Sequence, residues 1–145
     1  MNTRVNINEA EPQALKAMYG LEHYVRSSGL SKTHQELIKV RASQINGCAY
    51  CLNMHTKDAL KQGETPQRLF LLNAWKEAGL FTEEEKIILA LTEEVTLIYQ
   101  GGVQPATYQK AEQLLGKNYL AQVVMAIITI NAWNRIAITS ELPLE

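Results

Sequence analysis

The sequence predicts an all-α protein, an antiparallel bundle of about six to seven helices. Apolar residues recur at intervals of three and four along nearly every segment. Helix-start residues and terminating glycines punctuate the chain at short intervals. No stretch alternates convincingly with period two, so no sheet is expected. The loops look short, which suits antiparallel neighbours. With 145 residues, 46% of them hydrophobic, residues 1–145 are expected to form a single domain with a real core.

Pro12 suits a first helical position, and Leu15, Met18, Leu21 and Val25 give the following run an apolar face up to Ser28, before Gly29. Thr33 and Glu36 match a capping box for a second helix, whose face is Leu37, Val40 and Ile45 and whose stop is Asn46-Gly47. A third is expected from about Cys48 to Gln62, closed by Gly63. Thr65-Pro66 announces a fourth, carrying Leu69, Leu72 and Trp75 to Gly79. Thr82 and Glu85 form another capping box, for a helix closed by Gly101-Gly102, and Pro105 opens a shorter one.

The last helix, from about Tyr119 to Thr139, is apolar nearly all round. Its stretch "YLAQVVMAIITINAW" contains Gln122 and Asn131, and reads as a buried helix too short to span a membrane. A helix apolar on every face must be surrounded. A small bundle has few central places, so the surplus apolar surface predicts a homo-oligomer with residues around Ile127 to Trp133 at subunit contacts and the thiol site near an interface. Net charge is −1, from 14 basic and 15 acidic residues without long runs of one sign. That pattern argues against a nucleic acid or an anionic membrane as partner. The opening "MNTRVNINEAEPQ" has no apolar signal region, so a cytoplasmic protein is expected.

In a reducing compartment the only two cysteines, in "INGCAYCLNMH", are poor candidates for a structural staple. On a helix Cys48, Cys51 and His55 fall within about 60° of one another. Gly47 places Cys48 in an opening turn, whose free N–H groups favour a thiolate. His55 can exchange a proton near neutral pH. These are the parts of a redox pair with an acid/base group. A metal site could use the same three residues with Glu36, His34 or a partner chain as fourth ligand, but no second ligand pair is present. Two small core cysteines are the third reading. Haem attachment is excluded because Leu52, not histidine, follows Cys51. Capping explains Glu36 fully, so Glu36→Gln is expected to change stability by well under about 1 kcal/mol, although a carboxylate one helix away could also act on the thiols. Trp75 and Trp133 read as core or interface. Arg135 could pair with a buried carboxylate, hold a helix end or line a pocket.

The spacing Glu36-x11-Cys48-x2-Cys51-x3-His55 resembles the signature of alkylhydroperoxidase D-like (AhpD-like) proteins, the redox-active branch of the carboxymuconolactone decarboxylase family. The segments around it, "NAWKEAGLFTEEEKIILALTEEVTLI" and "ITINAWNRIAI", resemble that family too, so the likeness runs from about Leu15 to Ile138. The resemblance implies an oligomeric all-α fold, a trimer or hexamer, and a thiol peroxidase cycle. Cys51 would attack the peroxide, Cys48 would resolve, and Glu36 and His55 would relay protons. Read without the family, the helix N-terminus favours Cys48 as the nucleophile. The family also implies a thiol reductant, lipoylated or thioredoxin-like. The sequence is therefore expected to encode a thiol-dependent hydroperoxide reductase that needs no bound cofactor or metal. The competing expectation is a non-enzymatic helical module whose cysteines sense redox state or hold a metal.

Overall fold

A computed structural model describes residues 4–145. Among the described residues every regular element is helical, in the order α1 (Ile7–Ala10), α2 (Pro12–Ser27), α3 (Lys32–Asn46), α4 (Ala49–Lys61), α5 (Pro66–Phe70), α6 (Trp75–Ala78), α7 (Glu83–Thr96), α8 (Pro105–Leu115) and α9 (Lys117–Thr139). Short 3₁₀ turns lie at Leu72–Ala74 and Ile98–Gln100. The all-α expectation holds, with nine α-helices instead of six or seven.

One extra helix comes from the expected fourth one, which breaks into α5, a 3₁₀ turn and α6. Leu69, Leu72 and Trp75 recur every third residue. An α-helix turns about 300° in three residues and would fan them apart, whereas a 3₁₀ turn with three residues per turn stacks them. All three are buried in one cluster with Leu37, Val40, Ala59, Phe81 and Leu89. The other extra helix, α1, is capped by Asn6, whose side chain accepts from the Asn8 and Glu9 N–H groups.

The Thr82–Glu85 capping box is formed reciprocally. The other one is not. α3 is capped by Ser31, whose hydroxyl accepts from the His34 N–H at 3.1 Å. Glu36 thus lies beyond the first turn and takes no part in capping. Ser31 wins because it places the helix start two residues earlier, leaving Thr33 already helical.

α3 is the central element. It packs against α4, α7 and α9, sends Leu37 and Val40 into one cluster, and Ile38 and Ala42 into another built around α7 and α9. α9 also runs through the interior, burying Leu120, Val123, Ala126, Ile127, Ile130 and Ala137 within its own chain while Ile128 and Ile138 stay exposed. At 23 residues it is long and apolar enough to cross a membrane by length and composition, which corrects the expectation of a stretch too short for that. Its buried asparagines are nevertheless hydrogen-bonded inside the bundle. Asn134, fully buried, donates to Ser43 Oγ, and Asn46 donates to both Asn131 and Asn134. Among the described residues Arg135 pairs with no buried carboxylate. It donates to the backbone and side-chain carbonyls of Asn131 one turn back.

Candidate functional site

The thiol site is built where α3 hands over to α4. Gly47 ends α3 in the left-handed conformation (φ 68°), with its N–H reaching Gln44 O and the Cys48 N–H reaching Ser43 O at 3.0 Å. This double bond pattern needs a residue free of Cβ strain, which is why glycine stands there. The chain then turns straight into α4, with Cys48 as its N-cap and Cys48 Sγ accepting from the Cys51 N–H at 3.3 Å. Both sulfurs therefore lie in the first turn of α4. They are joined as a disulfide, with Cα atoms 5.3 Å apart.

Neither cysteine is exposed: Cys48 is 1% and Cys51 3% accessible, packed with Ala137 and Tyr50. Cys48 keeps the helix N-terminal place that favours it in sequence, but it is no more exposed than Cys51. The two differ in another respect. Cys51, but not Cys48, lines a cavity of about 420 Å³ together with His55, Met54, Leu15, Trp133 and Ile136. That volume falls within the range of small-molecule sites, and its mostly apolar wall with a few polar groups is typical of them.

His55 follows Cys51 by one turn and is buried. Its Nδ1 lies 3.8 Å from Glu36 Oε2 on α3 and 4.0 Å from Asp58 Oδ2. Both His55 Nδ1 and Glu36 Oε2 are buried without a hydrogen-bond partner. Two facing orphans are costly, at about 1–3 kcal/mol each. A shift of about 1 Å would join them in an ordinary hydrogen bond, provided one of them carries the proton. Burial pushes the Glu36 carboxyl up to about 7, Lys39 opposing and Asp58 and Glu22 adding to it. Burial, helped by Lys39, pushes His55 down to about 4. Near neutral pH the imidazole is therefore a neutral acceptor, and Glu36 is the group that gains and loses a proton.

The four residues expected at the site are thus brought together. Two further residues beside them, Glu22 and Lys39, escaped sequence reasoning. Glu22 on α2 is buried and lines the same cavity. Its carboxylate accepts from Lys39 Nζ and Arg26 Nε, both at 3.1 Å, and from Trp133 Nε1 at 3.2 Å. Burial pushes Glu22 up, but Lys39 and Arg26 together hold it below its ordinary value. Lys39 is buried as well and lies 3.8 Å from Glu36 Oε1. The signal was present: Glu22 falls in register with Leu15, Met18 and Val25, and Lys39 lies between Ile38 and Val40. A charge at a core position asks for a partner.

Among the described residues no group of three or more His, Cys, Asp or Glu side chains is arranged to hold a metal. His34, considered as a fourth ligand, instead shares a 2.6 Å hydrogen bond with the Tyr119 hydroxyl.

The comparisons with known proteins agree with this fold. An uncharacterized protein, YdfG, of Bacillus subtilis (strain 168) is 42% identical over 138 residues, covering 95% of this chain and 94% of that one. A crystal structure of a protein of unknown function from Agrobacterium tumefaciens, provisionally assigned as antioxidant defence protein AhpD, has a TM-score of 0.94 and 37% identity, over 99% of this chain and 98% of that one. The fold is also that of an uncharacterized peroxidase-related protein from Silicibacter sp. TM1040, with a TM-score of 0.81 at 20% identity, over 93% of this chain and 72% of that one. Residues 12–94, which include Glu36, both cysteines and His55, match the carboxymuconolactone decarboxylase family. On that match and on these likenesses the chain is an AhpD-like member of the carboxymuconolactone decarboxylase family.

Proposed function

We propose that the protein reduces organic hydroperoxides through the Cys48–Cys51 pair, with Cys51 attacking and Cys48 resolving. The observation that carries this reading is that Cys51, not Cys48, opens onto the cavity shared with His55. A peroxide held there meets one sulfur first. The Cys51 thiol gives its proton to the His55–Glu36 pair, and the thiolate attacks the terminal peroxide oxygen. The O–O bond breaks, Cys51 becomes a sulfenic acid, and the departing alkoxide takes the proton back and leaves as an alcohol. The Cys48 thiol, one turn away, then attacks the sulfenic sulfur, its proton leaving with the hydroxide as water. One hydroperoxide and two thiols yield one alcohol, one water and one disulfide. An external dithiol must reopen the disulfide, and a lipoylated or thioredoxin-like protein has the needed chemistry.

The exposed Ile128 and Ile138 on α9 support a homo-oligomer, though less strongly than the sequence argument did, because much of that helix is already enclosed by its own chain. The names of the structural relatives support the peroxide chemistry in the same direction.

The test is stoichiometric. Reduced protein given one equivalent of cumene hydroperoxide should produce one equivalent of the alcohol and lose two hydrogens in mass, reversibly with dithiothreitol. Turnover should continue while dithiol is supplied. Free thiols that persist under these conditions would refute the reading.

A further inference from the structure

A relay carboxyl has to stay protonatable, and its nearest cation works against that. Lys39 follows Glu36 by three residues on α3, a spacing that lets the two side chains meet. A buried carboxylate beside a buried ammonium would ordinarily ionise well below its free value. Here the two are an ion pair without a hydrogen bond. Lys39 Nζ lies 3.8 Å from Glu36 Oε1 but 3.1 Å from Glu22 Oε1, to which it donates a hydrogen bond. Glu22 is held in place from two other sides, by Arg26 from its own helix and by the Trp133 indole from α9. The groups around Glu36 are therefore Lys39 from α3, Glu22 and Arg26 from α2, and His55 and Asp58 from α4.

Resting on the reading of Glu36 as a proton-exchanging group, we propose that Glu22 is a competing counter-ion that draws Lys39 away from Glu36, so that Glu22 and Lys39 are positioning residues for the relay. Neither needs to touch a peroxide for this. Glu22 satisfies the lysine, and the lysine stops short of ionising the relay carboxyl. The directions of the two carboxyls agree with this division, Glu22 held down and Glu36 raised. The arrangement also joins the cavity to the relay, because Trp133 and Glu22 both line the cavity and Glu22 in turn holds Lys39.

The test reads the Glu36 titration directly, by carboxyl-carbon NMR on the full chain labelled at glutamate and assigned with Glu36→Gln, so it does not depend on activity. In Glu22→Gln, Lys39 is released to Glu36, and the Glu36 midpoint should fall by at least about one pH unit. In the double variant Glu22→Gln/Lys39→Met the fall should disappear, because the lysine that moves is gone. A swing of Lys39 shows as non-additivity: Lys39→Met should raise the midpoint more in the Glu22→Gln background than in the parent, whereas simple loss of Glu22's charge gives equal rises. Lys39→Met alone should raise the midpoint, and it keeps the proposal testable should Glu22→Gln fold poorly. An unmoved midpoint in Glu22→Gln, a fall that persists in the double variant, or a lowered or unmoved midpoint in Lys39→Met overturns the proposal. Midpoints that move as stated while peroxide reduction is unaffected would uphold this positioning and refute instead the part assigned to Glu36.

Discussion

Cys51→Ser is expected to abolish hydroperoxide consumption, lowering the rate with dithiothreitol as reductant by at least roughly a thousandfold, the scale on which losing a nucleophile acts. A serine hydroxyl at the same place does not become an anion near neutral pH and cannot take up oxygen to form a sulfenic acid. Cys48→Ser should behave differently. It keeps the sulfur that lines the cavity and should still consume one equivalent of peroxide, stopping at the sulfenic acid unless a small thiol replaces the resolving sulfur. Folding is not expected to separate the two variants. Both positions are buried in the same small cluster with Ala137 and Tyr50, and either change removes the disulfide. Peroxide loss followed colorimetrically distinguishes them. Equal losses in both variants would mean that the cavity does not select the attacking sulfur.

The second large effect is expected at Glu36, in opposite directions for stability and reaction. The folded-state value of Glu36 is raised, from 4.5 to about 7, so the native state binds a proton that the unfolded chain has released. Stability from this group is full below about pH 4.5 and is lost as pH rises through about 7. Glu36→Gln removes the loss, and its amide can donate to the unpartnered His55 Nδ1. The variant should therefore be more stable than the parent by about 1–3 kcal/mol at pH 8 and nearly equal to it at pH 4. Its reaction with peroxide should be at least roughly tenfold slower, the usual cost of losing a positioned acid/base group. His55 acts in the opposite sense. Its folded value is lowered, from 6.5 to about 4, so stability from His55 is full above 6.5 and lost as pH falls through about 4. Together the pair should give the parent a stability maximum between about pH 5 and 6, and Glu36→Gln should move it upward. Urea unfolding at several pH values measures this. A variant no more stable than the parent at pH 8 would show that Glu36 is not strained by burial.

Much of this fold was legible because its helix boundaries carry local chemistry. Pro12, Gly47, Thr65-Pro66, Thr82 with Glu85, and Pro105 each mark an end that the structure keeps. The failures are equally specific. Ser31 caps α3 although Thr33 and Glu36 offer the neater pattern in sequence, so the contact that the sequence suggests for Glu36 is not the one it makes. The break between α5 and α6 depends on packing Leu69, Leu72 and Trp75 into one cluster, a tertiary demand that outweighs the local preference for one continuous helix. Helical spacing named Cys48, Cys51 and His55, and the resemblance to AhpD-like proteins added Glu36. Neither could show which sulfur opens onto a cavity, since the wall comes from α2, α4 and α9 together. Nor could they pair Glu22 with Lys39, because those residues lie 17 apart in the chain and meet only across helices.

The central claim, that Cys51 meets the peroxide and Cys48 resolves, is tested most directly by trapping the sulfenic acid. Cys48→Ser and Cys51→Ser proteins are reduced, mixed with one equivalent of cumene hydroperoxide in the presence of dimedone, and digested for mass spectrometry. The account predicts a dimedone adduct on Cys51 in the first variant, formed at close to the parent's rate of peroxide loss, and little or none on Cys48 in the second. An adduct that forms rapidly on Cys48 while Cys51 stays unmodified would contradict it.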